Sequence, residues 1–394
     1  MRVLIATVVH TPLDARIHRR QIAALLADGI QVTYLAPWSA TGTERPPRTT
    51  SLTALEVPRA VGRQRGQALR AARRLIRRTG PDHDLILLHD PELLLTVIGR
   101  TKALPPVVLD VHEDTAASLL DRPWIPPVLR RPAGTAIRCT ERWAERNVHL
   151  ILAEHSYQHR FARRHPVVPN VPPRPGHEPP PPGARRVVYL GRIATSRGAR
   201  ELLELARRLH QELEFELIGP VDQDLSELVA DAVDRRHIRW TGFLPNEAAL
   251  ERIEGALAGL SLIHPQPNHD GSLQTKILEY ASRRLPVITT DLSVSGPFVR
   301  DQGIGLVVPP YDVDTTASAL LRLRDDEAMR NAMADRGYAL IRDELNWDLE
   351  GPRFTAFVRA WADQRDAVRS RRGSPARSAP GGKLTLARRF PRRH

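Results

Sequence analysis

Two stretches in the second half of the chain combine residue types suited to an anionic ligand that also carries hydroxyl groups. The first is Gly191-Arg192, directly after the apolar run Val187–Leu190, followed by Arg197-Gly198 at the start of a helical pattern. Glycine at a strand end lets the backbone approach a ligand, and two guanidinium groups beside a helix N-terminus suit a diphosphate. The plain alternative is a glycine turn flanked by surface arginines. The second stretch runs from His264 through Gly271, Ser272, Thr275 and Lys276 to Glu279, as a strand end, a polar loop and a helix expected to open near Leu273. Backbone N–H groups at such a helix start, with Ser272 and Thr275 beside them, can hold phosphate oxygens. Lys276 and Glu279 fall one turn apart on the same helix face. A cation for phosphates and a carboxylate for ribose hydroxyls together meet the needs of a nucleotide. Only three of the 58 basic residues are lysines (Lys102, Lys276 and Lys383), so lysine at this position runs against the composition and favours a specific role.

The first half offers weaker candidates, all at strand ends. Asp110-Val-His112-Glu113-Asp114 follows an apolar run, and His112 would face a cleft from the opposite wall. A single histidine is more often structural, but one among acids at a strand end is a fair site residue. His89-Asp90 follows Leu85–Leu88, and His10, Asp14 and Arg16 lie in the turn after the first strand. The pairs Asp82/Asp84, Asp222/Asp224 and Asp312/Asp314 have metal-like spacing but sit before strands or at helix starts, where N-capping is the ordinary use. No dinucleotide fingerprint, phosphate-loop lysine motif, serine elbow or zinc spacing occurs, so no metal or cofactor is expected.

Positioning these residues requires strands whose carboxyl ends share one side. Short apolar runs at Val3–Val8, Gln31–Ala36, Leu52–Val57, Leu85–Leu88, Val107–Asp110 and His149–Leu152 alternate with helical patterns such as Ile17–Ala27 and Ala133–Arg146. Continuous apolar strands separated by helices imply a parallel sheet covered on both faces. Nine of the 17 residues from Pro166 to Pro182 are proline, which suits a semi-rigid connector. The alternation then restarts, with strands expected at Val187–Leu190, Phe215–Ile218, Ile238–Thr241, Leu260–His264, Val287–Thr290 and Leu306–Val308. Helices are expected at Ala199–His210, Glu247–Ala256, Leu273–Ser282 and Thr315–Leu323. The expected organisation is an α/β first domain over 1–165, a linker over 166–186, a second α/β domain over 187–345, a helix over 346–364 and a basic tail over 365–394. A chain of 394 residues is long enough for two such domains.

The net charge of +13 is uneven: residues 365–394 hold ten Arg/Lys and one acid, leaving +4 for the rest. A nucleic-acid partner is therefore not expected, because basic tails rich in Ser, Pro and Gly are usually solvated. Arg59–Arg78 carries eight arginines and no acid, with an apolar stripe of Leu69, Ala72, Leu75 and Ile76. It reads as a solvated helix face, or as a peripheral contact with an anionic membrane. Cys139 is the only cysteine, and no apolar run is long enough to span a bilayer, so a cytoplasmic protein is expected.

With those residues in view, the sequence resembles the family 4 retaining glycosyltransferases (glycosyl transferases group 1, GT-B fold), in a branch seen in bacterial polysaccharide and glycoconjugate synthesis. The resemblance rests on LDARIHRRQIAALLADGIQVTYLAP, LLHDPELLL and VVLDVHED in the first half. In the second it rests on VVYLGRIATSRGARELLELARRL, IRWTGFLPNEAAL and SLQTKILEYASRRLPVITTD. It implies two Rossmann-like domains facing across a cleft, and metal-independent transfer of a sugar from a nucleotide donor with retained configuration. The acceptor would be a glycan, a lipid-linked saccharide or a small metabolite. By the same resemblance Arg192 and Arg197 bind the donor diphosphate, Lys276 adds a phosphate contact, Glu279 holds the ribose hydroxyls, and His112 contacts the donor sugar. One departure stands out: many members carry a further glutamate for the sugar at the position of Gly271. Two alternatives stay open at this point, a sugar-nucleotide epimerase on the same architecture and a nucleotide-sugar binder without turnover.

The composition of the tail yields a first prediction. Truncation after Gln364 should leave the melting temperature nearly unchanged, because the segment is charged and poor in core residues. A drop of many degrees would show that it is packed.

Overall fold

A computed structural model describes residues 1–116 and 127–373. Among the described residues twelve strands form two all-parallel sheets. The first contains β1 (Arg2–Ala6), β2 (Gln31–Ala36), β3 (Leu52–Glu56), β4 (Leu85–Leu88), β5 (Val107–Val111) and β6 (His149–Leu152), ordered β3-β2-β1-β4-β5-β6. The second contains β7 (Arg186–Leu190), β8 (Glu214–Ile218), β9 (Ile238–Gly242), β10 (Ala258–Ser261), β11 (Val287–Thr290) and β12 (Gly305–Val308), ordered β12-β11-β10-β7-β8-β9. Counted from its own first strand, each sheet reads 3-2-1-4-5-6. Each therefore has a switch point, β1/β4 in one and β7/β10 in the other, where the strand order reverses and a crevice opens beyond the carboxyl ends.

The apolar runs form these strands because both faces of each sheet are covered. Leu85–Leu88 is buried along its whole length, as is Val287–Thr290. Seven helices matter below. Helix α1 is π-wound over Ala15–Ile22 and α-helical over Ala23–Ala27, and α2 spans Arg65–Thr79. Helix α3 covers Pro127–Asn147, α4 Ala199–Leu209 and α5 Thr275–Ser282. Helix α6 runs over Glu327–Asp343 and α7 over Trp347–Gly373. The apolar stripe of α2 is spent on the core: Ala68, Ala72 and Ile76 are buried under the first sheet with Leu69 and Leu75 against them. Its arginines at 70, 73, 74, 77 and 78 face solvent, as a solvated helix face would.

Several elements depart from the sequence expectation. The proline-rich stretch is more than a spacer, because Val168 and Val171 are buried in the core that joins the two halves. Val168 N–H donates to the Leu152 carbonyl at 2.8 Å, extending the edge of the first sheet. Helix α7 returns to the first half, where the Trp347 indole N–H donates to the Arg20 carbonyl at 3.2 Å and Phe354, Val358 and Ala362 join the same core. It also continues to Gly373, past the Gln364 expected as its end. The rest of the expected tail, 374–394, lies outside the described residues. The chain crosses between the halves twice, and Trp347 N–H donating to the Pro172 carbonyl at 2.8 Å ties the crossings together.

The strand expected at Leu260–His264 is instead Ala258–Ser261. It pairs with β7 only at Ala258 and Gly259. Beyond that point the Tyr280 hydroxyl stands between the strands, accepting from Leu190 N–H at 2.8 Å and donating to the Leu260 carbonyl at 3.0 Å. This wedge holds the β7/β10 crevice open. Tyr280→Phe should remove both bonds, leave two buried backbone groups unpaired and destabilise the fold by about 1–3 kcal/mol. Urea unfolding of the variant would show it, and an unchanged midpoint would mean that the wedge carries no energy.

Candidate functional site

At the end of the first sheet the turn after β1 folds over Asp90. Asp90 Oδ2 accepts from Thr7 Oγ1 at 3.0 Å and from the Val8 and Val9 N–H groups. Asp110, at the end of β5, is fully buried and held by Arg16 through two bonds of 2.8 Å and by Gln21 Nε2 at 2.7 Å. Burial raises the carboxyl pKa, but the Arg16 guanidinium and His89 together outweigh it and keep the group well below the ordinary range. His89, wholly buried, lies with Nδ1 3.3 Å from Asp110 Oδ2. His112 Nδ1 is 3.1 Å from the Asp110 carbonyl oxygen, and its Nε2 is 2.9 Å from His10 Nε2. Nδ1 must carry the proton to donate to a carbonyl, so the neutral His112 ring accepts at Nε2 from His10. Burial pushes His112 down to about 4, which keeps the ring neutral at ordinary pH.

His89, Asp110 and His112 place ligating atoms within 4.8 Å of one another. A cation there would have to displace the guanidinium and amide donors already on Asp110. Other expected residues of the first half serve the scaffold. Asp14 caps α1, accepting from the Arg16 and Ile17 N–H groups, and Arg16 is spent on Asp110 and on the Val168 carbonyl. Glu113 points to solvent.

At the end of the second sheet Gly191 has φ of 121°, a conformation that a side chain would strain. Lys276, in the first turn of α5, fills the crevice beside it. Its Nζ stands 3.8 Å from the Tyr189 ring centroid and 3.6 Å from where a Gly191 Cβ would be. Lys276 is 6% exposed, and among the described residues Nζ has no hydrogen-bond partner. Burial, with Arg197 adding to it, lowers this ammonium well below its ordinary pKa. Glu279, one turn on, is held by Asn246 Nδ2 at 2.9 Å. Arg197 is partly buried and immediately precedes Gly198, whose φ of 77° and close approach to the Leu262 carbonyl exclude any other residue. Arg192 turns outward, 64% exposed and ion-paired with Asp222. Ser272 lies in the loop, donating to the His269 carbonyl at 3.3 Å, because α5 opens at Thr275 rather than Leu273.

The two ends meet. Asn170 Nδ2 donates to Thr275 Oγ1 at 3.1 Å while its Oδ1 accepts from Arg20, and Arg20 in turn feels the charge of Glu279. Ser156 Oγ donates to the Gly271 carbonyl, and the carboxyl of Glu154 receives the Leu273 N–H.

Known proteins resemble this chain in sequence and in fold. Its residues 184–326 match the family model described as "Glycosyl transferases group 1". Residues 184–326 are a glycosyl transferases group 1 domain. Over 178 residues the chain is 28% identical to alpha-D-kanosaminyltransferase of Streptomyces kanamyceticus, a match spanning 44% of this chain and 45% of that one. The chain thus spans less than half the length of that curated relative. The fold is similar to that of a sucrose-phosphate synthase from Thermosynechococcus elongatus (TM-score 0.71, 15% identity, 91% and 98% of the two chains). It is also similar to that of Anabaena HepE solved with UDP and glucose (TM-score 0.68, 14% identity, 91% and 100%). The two facing sheets are those of GT-B glycosyltransferases.

Lys276, Glu279, Arg197 and Gly191 of the group 1 domain thus share one crevice, and His10, His89, Asp90 and His112 cluster at the end of the other sheet. Sequence reading missed Tyr189, Asn246, Arg20, Asn170 and Glu154. Only Asn246, just after the proline at a helix start, left a local signal; the others depend on which strands become neighbours.

Glu154 gives a pH prediction. Burial, outweighing the Leu273 N–H, pushes its carboxyl up to about 7. The folded state then binds a proton that the unfolded chain has released, so stability falls as pH rises from about 4.5 to 7. Glu154→Gln, which mimics the protonated form, should match wild type below pH 5 and melt higher than wild type near pH 8. Parallel melting curves across this range would place Glu154 in solvent.

Proposed function

We propose that this chain transfers a glycosyl group from a nucleoside-diphosphate sugar to an acceptor hydroxyl, with retained anomeric configuration and without a metal. The observation that carries the reading is Lys276, a buried cation without a hydrogen-bond partner, at the β7/β10 switch point beside Gly191. A buried ammonium lacking a partner is costly, and a diphosphate would supply the missing anion. Arg197 and the start of α5 add positive potential from the same crevice. Glu279, held by Asn246, would accept from ribose hydroxyls. The match to kanosaminyltransferase and the likeness to a protein solved with UDP and glucose support a nucleotide-sugar donor.

In this reading the anomeric C–O bond breaks and the diphosphate leaves with the electron pair. Lys276 and Arg197 stabilise the developing charge, which is electrostatic catalysis. Arg192 would join them on leaving Asp222. The acceptor oxygen attacks from the face that the diphosphate vacates and passes its proton to a phosphate oxygen. His112, held by the Asp110 carbonyl and by His10, contacts the sugar from the other wall and keeps a fixed tautomer.

A charged hydrogen bond to phosphate contributes roughly 1.5–3 kcal/mol, more as the leaving group gains charge. Lys276→Ala should lower kcat/KM by about one to two decades, and Lys276→Arg should recover little because a forked guanidinium does not fit beside Tyr189. His112→Ala should lower kcat while diphosphate affinity stays near wild type. Donor turnover of each variant, with EDTA and with magnesium, is the test. Normal activity in Lys276→Ala, or complete loss of wild-type activity on chelation, would overturn the reading.

A further inference from the structure

The loop that precedes α5 carries no carboxylate free to meet a sugar. Between His264 and Glu279 the sole acid is Asp270, and its oxygens are taken by the Ser293 N–H and hydroxyl. Ser272 Oγ and Gln274 Nε2 are turned inward on the His269 and Ser272 carbonyls. The unpartnered acceptor among these side chains is the neutral Gln274 amide oxygen, so a pyranose bound beyond the diphosphate would meet no free carboxylate there. Gly271 is not forced by the chain: its φ is −86°, and a Cβ built on it meets nothing within 4 Å. The position tolerates a side chain and lacks one.

The facing wall supplies the missing group. Glu154 lies just past the end of β6, and the neighbouring Ala153 N–H donates to the Val111 carbonyl at 2.9 Å, which sets Glu154 beside the strand end that carries His112. Its carboxyl points across to the loop and receives the Leu273 N–H, and the Ser156 hydroxyl donates to the Gly271 carbonyl. Arg16, whose charge acts on Glu154, is committed to Asp110 and the Val168 carbonyl, and among the described residues Glu154 makes no ion pair. A partly buried carboxyl outside any ion pair, facing a loop that lacks a free carboxylate, is arranged to bind a neutral polyol.

We propose that Glu154 binds hydroxyl groups of the transferred sugar from the first sheet's side, in place of a carboxylate at position 271. The assignment rests on the glycosyl-transfer reading above. It implies that sugar recognition needs both halves, and that the donor displaces the Glu154–Leu273 contact on entering.

The test measures equilibrium binding of UDP, GDP, ADP and TDP, and of their glucose conjugates, to the full chain. Wild type is compared with Glu154→Ala, Glu154→Gln and the double variant Glu154→Ala/Gly271→Glu. Glu154→Ala should bind the favoured bare diphosphate as wild type does and its glucose conjugate about ten- to a hundredfold more weakly. The double variant should regain most of that loss, because a carboxylate re-enters from the opposite wall. Glu154→Gln, nearly isosteric and safe for folding, should show the same selectivity with a smaller loss. Equal weakening of diphosphate and conjugate, an unchanged conjugate affinity, or a double variant as weak as the single one would overturn the proposal. Any of these with normal diphosphate binding removes Glu154 alone, whereas a wild type that binds none of the diphosphates removes the transfer reading itself.

Discussion

The first half of the molecule is organised around one buried ion pair. Asp110 lies one residue before the end of β5 and is only 1% exposed, and the Arg16 guanidinium meets it along both oxygens. A carboxylate in that position is tolerable only because the partner is planar, permanently charged and aligned. The same guanidinium reaches the Val168 carbonyl, so the pair also fixes where the chain leaves the first sheet. The Asp110 backbone carbonyl holds the His112 ring, and the asparagine that meets Thr275 follows in the same connector. Helix α1 is π-wound over the stretch that delivers Arg16, Arg20 and Gln21, three side chains that an ordinary α-helix would spread differently.

The second half depends on the opposite device, a charged group without a hydrogen-bond partner among the described residues. Lys276 is buried against Tyr189, and its ammonium is opposed by desolvation and by Arg197. Such a group stores unfavourable energy that an anion relieves, whereas the Arg16–Asp110 pair has already spent its complementarity. The contrast separates scaffold from site more clearly than burial does, since both groups are nearly inaccessible. Tyr280 keeps the crevice beside Lys276 open by standing where a β7–β10 bond would otherwise form.

Between these two ends the halves are closed on one another by the connector, by the returning helix α7 and by small polar contacts. Ser156 with Gly271 and Asn170 with Thr275 are single hydrogen bonds, each easily exchanged for bonds to a ligand. The apolar core around Val168, Ile277 and Phe354 is far larger. Opening and closing would therefore act on the polar rim while the core near the crossings stays packed.

The sequence by itself determined the two alternating α/β halves, because apolar strands and amphipathic helices are written in local periodicity. The strands at Gln31–Ala36, Leu85–Leu88, His149–Leu152 and Val287–Thr290 were legible residue for residue. So was the placement of Lys276 and Glu279 on one helix, since a lysine in an arginine-rich chain is a compositional exception. What only the tertiary structure decided is which of the strand-end polar residues face one another. Arg16 had the look of a cleft residue and is a scaffold residue, because its partner lies far along the sequence at Asp110. Arg192 turns to Asp222, while the crevice beside Gly191 is filled from α5 by Lys276. Glu154 carried no local mark at all: its environment is made by a loop of the other half, and burial and facing charge are properties of packing that periodicity and spacing do not encode.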